Sequence, residues 1–144
     1  MSERWVTQMR RALELAASGR YGASPNPMVG AVLLSRDDAE VGSGAHLRCG
    51  GPHAEVVALA SAGAAALGGT LVVNLEPCAH QGRTPPCVDA VLAAGISRVV
   101  IGTRDPNPVV GGKGVEALHA AGVEVIEGVE EEACRRLNQR FFHF

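Results

Sequence analysis

Residues 53–78, HAEVVALASAGAAALGGTLVVNLEPC, decide the fold. Ala54, Val56, Val57, Leu59 and Ala60 open a dense apolar run that reads as a helix starting near His53 and reaching Leu67. Gly68-Gly69 stops it. Thr70 to Leu75 then follows as a short run of mostly branched residues, the pattern of a strand buried on both faces. Helix, glycine stop and buried strand in direct succession form the repeating unit of a parallel sheet.

Upstream, Ser2 is placed to cap a first helix whose Trp5, Met9, Ala12, Leu13 and Ala16 share one face. Gly19 and Gly22 end it, and Ser24-Pro25-Asn26-Pro27 is a rigid turn. Val29 to Leu34 and a weaker Glu40 to Gly44 flank the Asp37-Asp38 turn and predict a hairpin. Downstream of Pro77 to Pro86, a Gly- and Pro-rich loop, Pro86 fits the first turn of a third helix through Val88, Val91 and Leu92, ended by Gly95. Ile96 to Ile101 reads as a strand, Thr103 to Gly114 as a long loop and Val115 to Ala121 as a fourth helix. Val123 to Ile126 is a last strand and Glu130 to Asn138 a last helix. Together these predict an α/β protein, a three-layer α/β/α sandwich on a mixed central sheet of about five strands. No linker or internal repeat divides the chain, so residues 1–144 are expected to form a single domain.

The 144 residues suffice for one core, and with 47% hydrophobic residues but only 3% aromatics that core must be Val, Leu, Ile and Ala. The net charge is −2, with no run of Lys or Arg and few aromatic rings for base stacking, which disfavours a nucleic-acid partner. The N-terminus is charged and lacks the apolar stretch of a signal peptide. The low-charge region from Val56 to Leu75 is broken by Gly63, Gly68, Gly69 and Asn74, so no membrane association is expected. A cytoplasmic protein is expected, and there four cysteines point to metal binding or catalysis before disulfides.

The chemistry-bearing residues are His53-Ala54-Glu55 at a helix start, Pro77-Cys78 after a strand and Pro86-Cys87 before the next helix. One histidine and two cysteines are three zinc ligands, and a catalytic zinc keeps a fourth position for water. Glu55, two residues past His53, can act on that water without occupying the metal. Zinc deaminases carry H-x-E followed by P-C-x-x-C, with the Glu as non-ligand general acid/base. His53, Glu55 and Cys78 match this pattern; Cys87 departs from it, lying nine residues after Cys78.

With that long insert, Pro77-Cys78-Ala79-His80-Gln81-Gly82-Arg83-Thr84-Pro85-Pro86-Cys87, the chain resembles the deaminase domain of the bacterial riboflavin-biosynthesis deaminase/reductase, within the cytidine-deaminase-like superfamily. The likeness continues in Pro25-Asn26-Pro27-Met28-Val29-Gly30, Gly50-Gly51-Pro52, Asp105-Pro106-Asn107-Pro108 and Gly112-Lys113-Gly114. It departs at Asn74, where a Thr is expected. The resemblance implies one zinc ion per chain and hydrolytic deamination of a diaminopyrimidinone ribosylamino 5′-phosphate to the matching aminouracil, in riboflavin biosynthesis. It also implies that Asn26, His46, His80, Arg83, Asp105 and Asn107 line the substrate pocket, with Lys113 a weaker phosphate candidate. The family protein usually continues into a reductase domain near where this chain stops, so a stand-alone deaminase and a fragment of a bifunctional enzyme are both open, as is homo-oligomer formation. No dinucleotide motif is present: Gly42-Ser43-Gly44 is followed by Leu47 in place of the third glycine.

The plainer readings are a Cys78–Cys87 disulfide, a structural zinc with His80 as fourth ligand, a hairpin or surface His46 and a solvated Arg83. Cys49 and Cys134 read as packing residues, and His119 and His143 as structural or exposed. The rival functions are a zinc deaminase of another pyrimidine, nucleoside or nucleotide, and a non-catalytic zinc-binding module.

Overall fold

The computed structural model describes residues 2–23, 26–79 and 86–139. Helix α1 (Glu3–Ala17) leads into the hairpin β1 (Gly30–Leu34) and β2 (Glu40–Ala45). Then come α2 (Ala54–Ala62), a 3-10 turn (Gly63–Ala66), β3 (Thr70–Leu75), α3 (Cys87–Ala93), β4 (Arg98–Thr103), α4 (Lys113–Ala120), β5 (Glu124–Glu127) and α5 (Glu131–Leu137). The five strands form one sheet in the order β2-β1-β3-β4-β5. β1 runs antiparallel to both neighbours, and β3, β4 and β5 run parallel. The expected mixed sheet, hairpin first and parallel strands after, is the one observed.

Register explains why β1 and β3 are apolar at nearly every position. Val32, Val72 and Val100 pair across β1, β3 and β4 and face α1 and α5, where they pack with Met9 and Cys134. Leu33, Leu71 and Val99 pair in the next row and face α2, α3 and α4, packing with Ala58, Val91 and Leu118. Both faces are covered, so period-2 alternation of polar residues disappears from the central strands. β2, at the edge, keeps an alternating pattern, and its buried positions Gly42 and Gly44 face α2. A Cβ on Gly44 would lie 2.7 Å from the Ala54 carbonyl oxygen, so the helix that starts at the site can lie flush on the sheet. The glycines that weaken β2 as a sequence signal are therefore packing residues.

Several boundaries shift. α2 ends at Ala62 because Gly63 takes φ 56°, and the chain tightens to a 3-10 turn before Gly68. Ile96 lies before β4, which extends to Thr103. Ser2 occupies the N-cap position of α1 but its hydroxyl makes no cap bond; its carbonyl accepts from the Trp5 and Val6 N–H groups. Cys134 is buried as expected, whereas Cys49 is exposed on the loop after β2 and packs no core. Among the described residues, no helix is long and apolar enough to cross a membrane.

Candidate active site

The site forms where α2 and α3 begin and β3 ends. His53 is the N-cap residue of α2, in extended backbone with φ −71° and ψ 156°. It does not cap the helix; its Nδ1 lies 3.0 Å from Cys87 Sγ. Cys87 is the first residue of α3, and its backbone N–H donates to Cys78 Sγ at 3.2 Å. Among the described residues, His53, Cys78 and Cys87 form a metal-competent group whose ligand atoms all lie within 4.8 Å of one another. One nitrogen and two sulfurs at that separation suit a tetrahedral ion with bonds of about 2.0–2.3 Å, the donor set zinc prefers.

The electrostatics fit the same use. The Cys87 thiol, donating to Cys78, holds Cys78 down to about 4, with help from His53 and from the Cys87 N–H. The same bond, with burial, pushes Cys87 up. His53 is raised, first by its bond to Cys78, against the opposing effect of burial. Glu55, in the first turn of α2, is only 4% exposed. Burial pushes its carboxyl above 4.5, against the pull of its own backbone N–H and of His53. A carboxyl raised in this way is a better proton acceptor than a solvated one, as a general acid/base requires.

The remaining expected residues divide. His46 is buried at 3% exposure, and its ring stands edge-on to His53 with centroids 5.4 Å apart. Its Nδ1 lies 3.0 Å from the Pro52 carbonyl, which can only accept, so Nδ1 carries a proton. Its Nε2 then accepts from Asn26 Nδ2 at 3.1 Å. Asp105 and Lys113 line a cavity of about 250 Å³ that Cys78, Glu76 and Val110 share. Asn107 is half-buried and its Oδ1 accepts from the Val109 N–H, while its own N–H donates to Asp105 Oδ1. His80 and Arg83 lie outside the described residues, as do Ser24, Pro25 and the Phe141-Phe142-His143-Phe144 end.

A family model, the cytidine and deoxycytidylate deaminase zinc-binding region, matches residues 3–103, a span holding His53, Glu55, Cys78 and Cys87. The chain belongs to this deaminase family. The chain is 56% identical over 135 residues to the riboflavin biosynthesis protein RibD of a Synechocystis strain, covering 94% of this chain and 36% of that one. Its fold superposes on RibD of Acinetobacter baumannii with a TM-score of 0.94 at 48% identity, covering 97% of this chain and 39% of that one. A Thermotoga maritima protein named as a diaminohydroxyphosphoribosylaminopyrimidine deaminase and phosphoribosylaminouracil reductase gives 0.90 at 49% identity, covering 96% and 40%. The chain thus spans a little over a third of the length of these relatives.

Three polar residues hold the site's frame; the sequence reading noted Asn74 only as a departure and gave Glu76 and Asn138 no role. Asn74, fully buried in β3, accepts from the Gly30 N–H at 2.8 Å and donates to the Met28 carbonyl at 3.1 Å. Asn138 binds Met28 from the other side, and Glu76 binds the loop that carries Asp105. The available signal was a polar side chain inside an apolar strand, which always needs a partner.

Proposed function

We propose that residues 1–144 form one deaminase domain that hydrolytically deaminates a diaminopyrimidinone ribosylamino 5′-phosphate to the matching aminouracil and ammonia. The observation that carries this reading is the meeting of His53, Cys78 and Cys87 beside buried Glu55 in a chain about half identical to RibD proteins. His53, Cys78 and Cys87 are the zinc ligands in this proposal, and Glu55 is the catalytic acid/base. When bound, zinc supplies a Lewis acid that brings the pKa of a coordinated water toward about 7.

Glu55 takes the proton of the attacking water as oxygen adds to the ring carbon that bears the amine. It gives that proton to the ring nitrogen, then takes the second proton from the added hydroxyl and passes it to the amine as the C–N bond breaks, so that the hydroxyl becomes the carbonyl and ammonia leaves. Burial of Glu55 raises its carboxyl, which favours its holding the proton between the two transfers. In this reading Asn26 and His46, Asp105 and Asn107 of the β4–α4 loop, Lys113 at the start of α4, and His80 and Arg83 make up the proposed substrate set. A reductase is the proposed partner activity, and the cytoplasm, where thiols stay reduced, the proposed compartment.

Glu55→Gln tests this reading against a non-catalytic zinc module. In single-turnover assays on the ribotide, E55Q is expected to lose nearly all ammonia release while keeping one zinc per chain. Equal release by E55Q and the parent protein would remove Glu55 from the mechanism.

A further inference from the structure

Glu76 is a buried acid to which the proposed chemistry gives no task. It follows β3, two residues before Cys78, and is 7% exposed. Its Oε1 accepts from the backbone N–H groups of Asp105 at 3.0 Å and Gly112 at 2.9 Å, and its Oε2 from that of Val115 at 2.9 Å. One carboxylate therefore ties both ends of the 104–112 loop and the first turn of α4 to the segment that carries Cys78. The approach is close: a Cβ on Gly114 would lie 2.0 Å from the Pro77 carbonyl oxygen and 3.1 Å from Glu76 Cγ. Gly114 in Gly112-Lys113-Gly114 thus has a packing use. The loop so held places Asp105 and Lys113 on the cavity that Cys78 lines.

We propose that Glu76 is a positioning residue that sets where Asp105 and Lys113 stand relative to Cys78, and thereby sets substrate affinity and not the rate of the chemical step. Its substrate rests on the deaminase reading above; its geometry does not. Three donors meet one carboxylate, the arrangement in which hydrogen bonds are strongest. A Gln in its place has a single acceptor oxygen and turns an NH2 group toward a backbone N–H, donor against donor.

The test compares the zinc-loaded chain with Glu76→Gln, reading ribotide kinetics, zinc content and amide hydrogen exchange together. For E76Q the expected result is a KM raised about tenfold with kcat within about threefold of the parent, since a ground-state contact is lost. Zinc stays at one per chain, and the Asp105, Gly112 and Val115 amides exchange about tenfold faster while those of β3 do not change. A fall in kcat at constant KM overturns the proposal, and so does unchanged exchange at those three amides. If the parent protein does not turn over the ribotide, the substrate reading fails alone. Exchange then decides, selective loss of protection supporting the anchor and unchanged protection sinking it. Should E76Q not fold, Glu76→Asp carries the same test, because it keeps the charge and withdraws both oxygens from the loop.

Discussion

The Asn138 side chain, just past the end of α5, binds both backbone groups of Met28: Oδ1 accepts from the N–H and Nδ2 donates to the carbonyl, each at 2.7 Å. An amide 110 positions away thus substitutes for a neighbouring strand and holds the segment that runs from Asn26 into β1. Asn138 is 1% exposed, and its removal leaves the Met28 N–H without its partner while the Met28 carbonyl keeps Asn74. Asn138→Ala is expected to cost about 1–3 kcal/mol in urea unfolding. A loss well under that range would show that the clamp contributes nothing net.

Metal removal has a defined consequence for the cysteine pair. Zinc binding needs both thiols deprotonated and the imidazole neutral, whereas in the free site Cys87 is pushed up and His53 is raised, so both hold their protons more firmly. Chelation is expected to release one zinc per chain and to lower the Tm, and added zinc to restore it with release of protons. Calorimetry in buffers of different ionisation enthalpy counts them; a Tm insensitive to chelation would argue against a site in the folded chain.

Cys134 gives the alkaline side of the stability profile. Burial pushes its thiol up from 9.0 to about 12. Between those values the folded chain holds a proton that the unfolded chain has lost, so this group's contribution falls as pH rises from about 9 to 12. Cys134→Ser, which keeps the size and does not titrate, is expected to flatten the decline in denaturation midpoint over that window. A profile that falls as steeply in C134S would assign the loss to other groups. In the native protein a thiol reagent should label exposed Cys49 and spare Cys134.

Leu71 sits fully buried between Leu33 and Val99 in the middle row of the sheet. Leu71→Ala is expected to cost about 2–5 kcal/mol in chemical unfolding, through lost burial plus the cavity left behind. A cost under about 1 kcal/mol would mean that the α2–α3 layer collapses onto the vacancy.

The parts of this molecule legible in the sequence are those set by local pattern. Thr70–Leu75 is apolar because both faces are covered, and Gly68 ends the preceding segment because it takes φ 73°. His53, Glu55, Cys78 and Cys87 are legible because metal chemistry admits few residue types. Glu76 and Asn138 were not, since their partners are backbone N–H and C=O groups 29 to 110 residues away, which every residue carries alike. His46 misled when read alone: a hairpin histidine is ordinarily solvated, and only the fold brings Pro52 and Asn26 to its two nitrogens.

Ammonia release by the zinc-loaded chain, measured side by side on the diaminopyrimidinone ribotide, cytidine and CMP, tests the central claim most directly. Release from the ribotide alone is the predicted result. Release from cytidine or CMP in its stead, or none from the ribotide with zinc in place, would contradict the account.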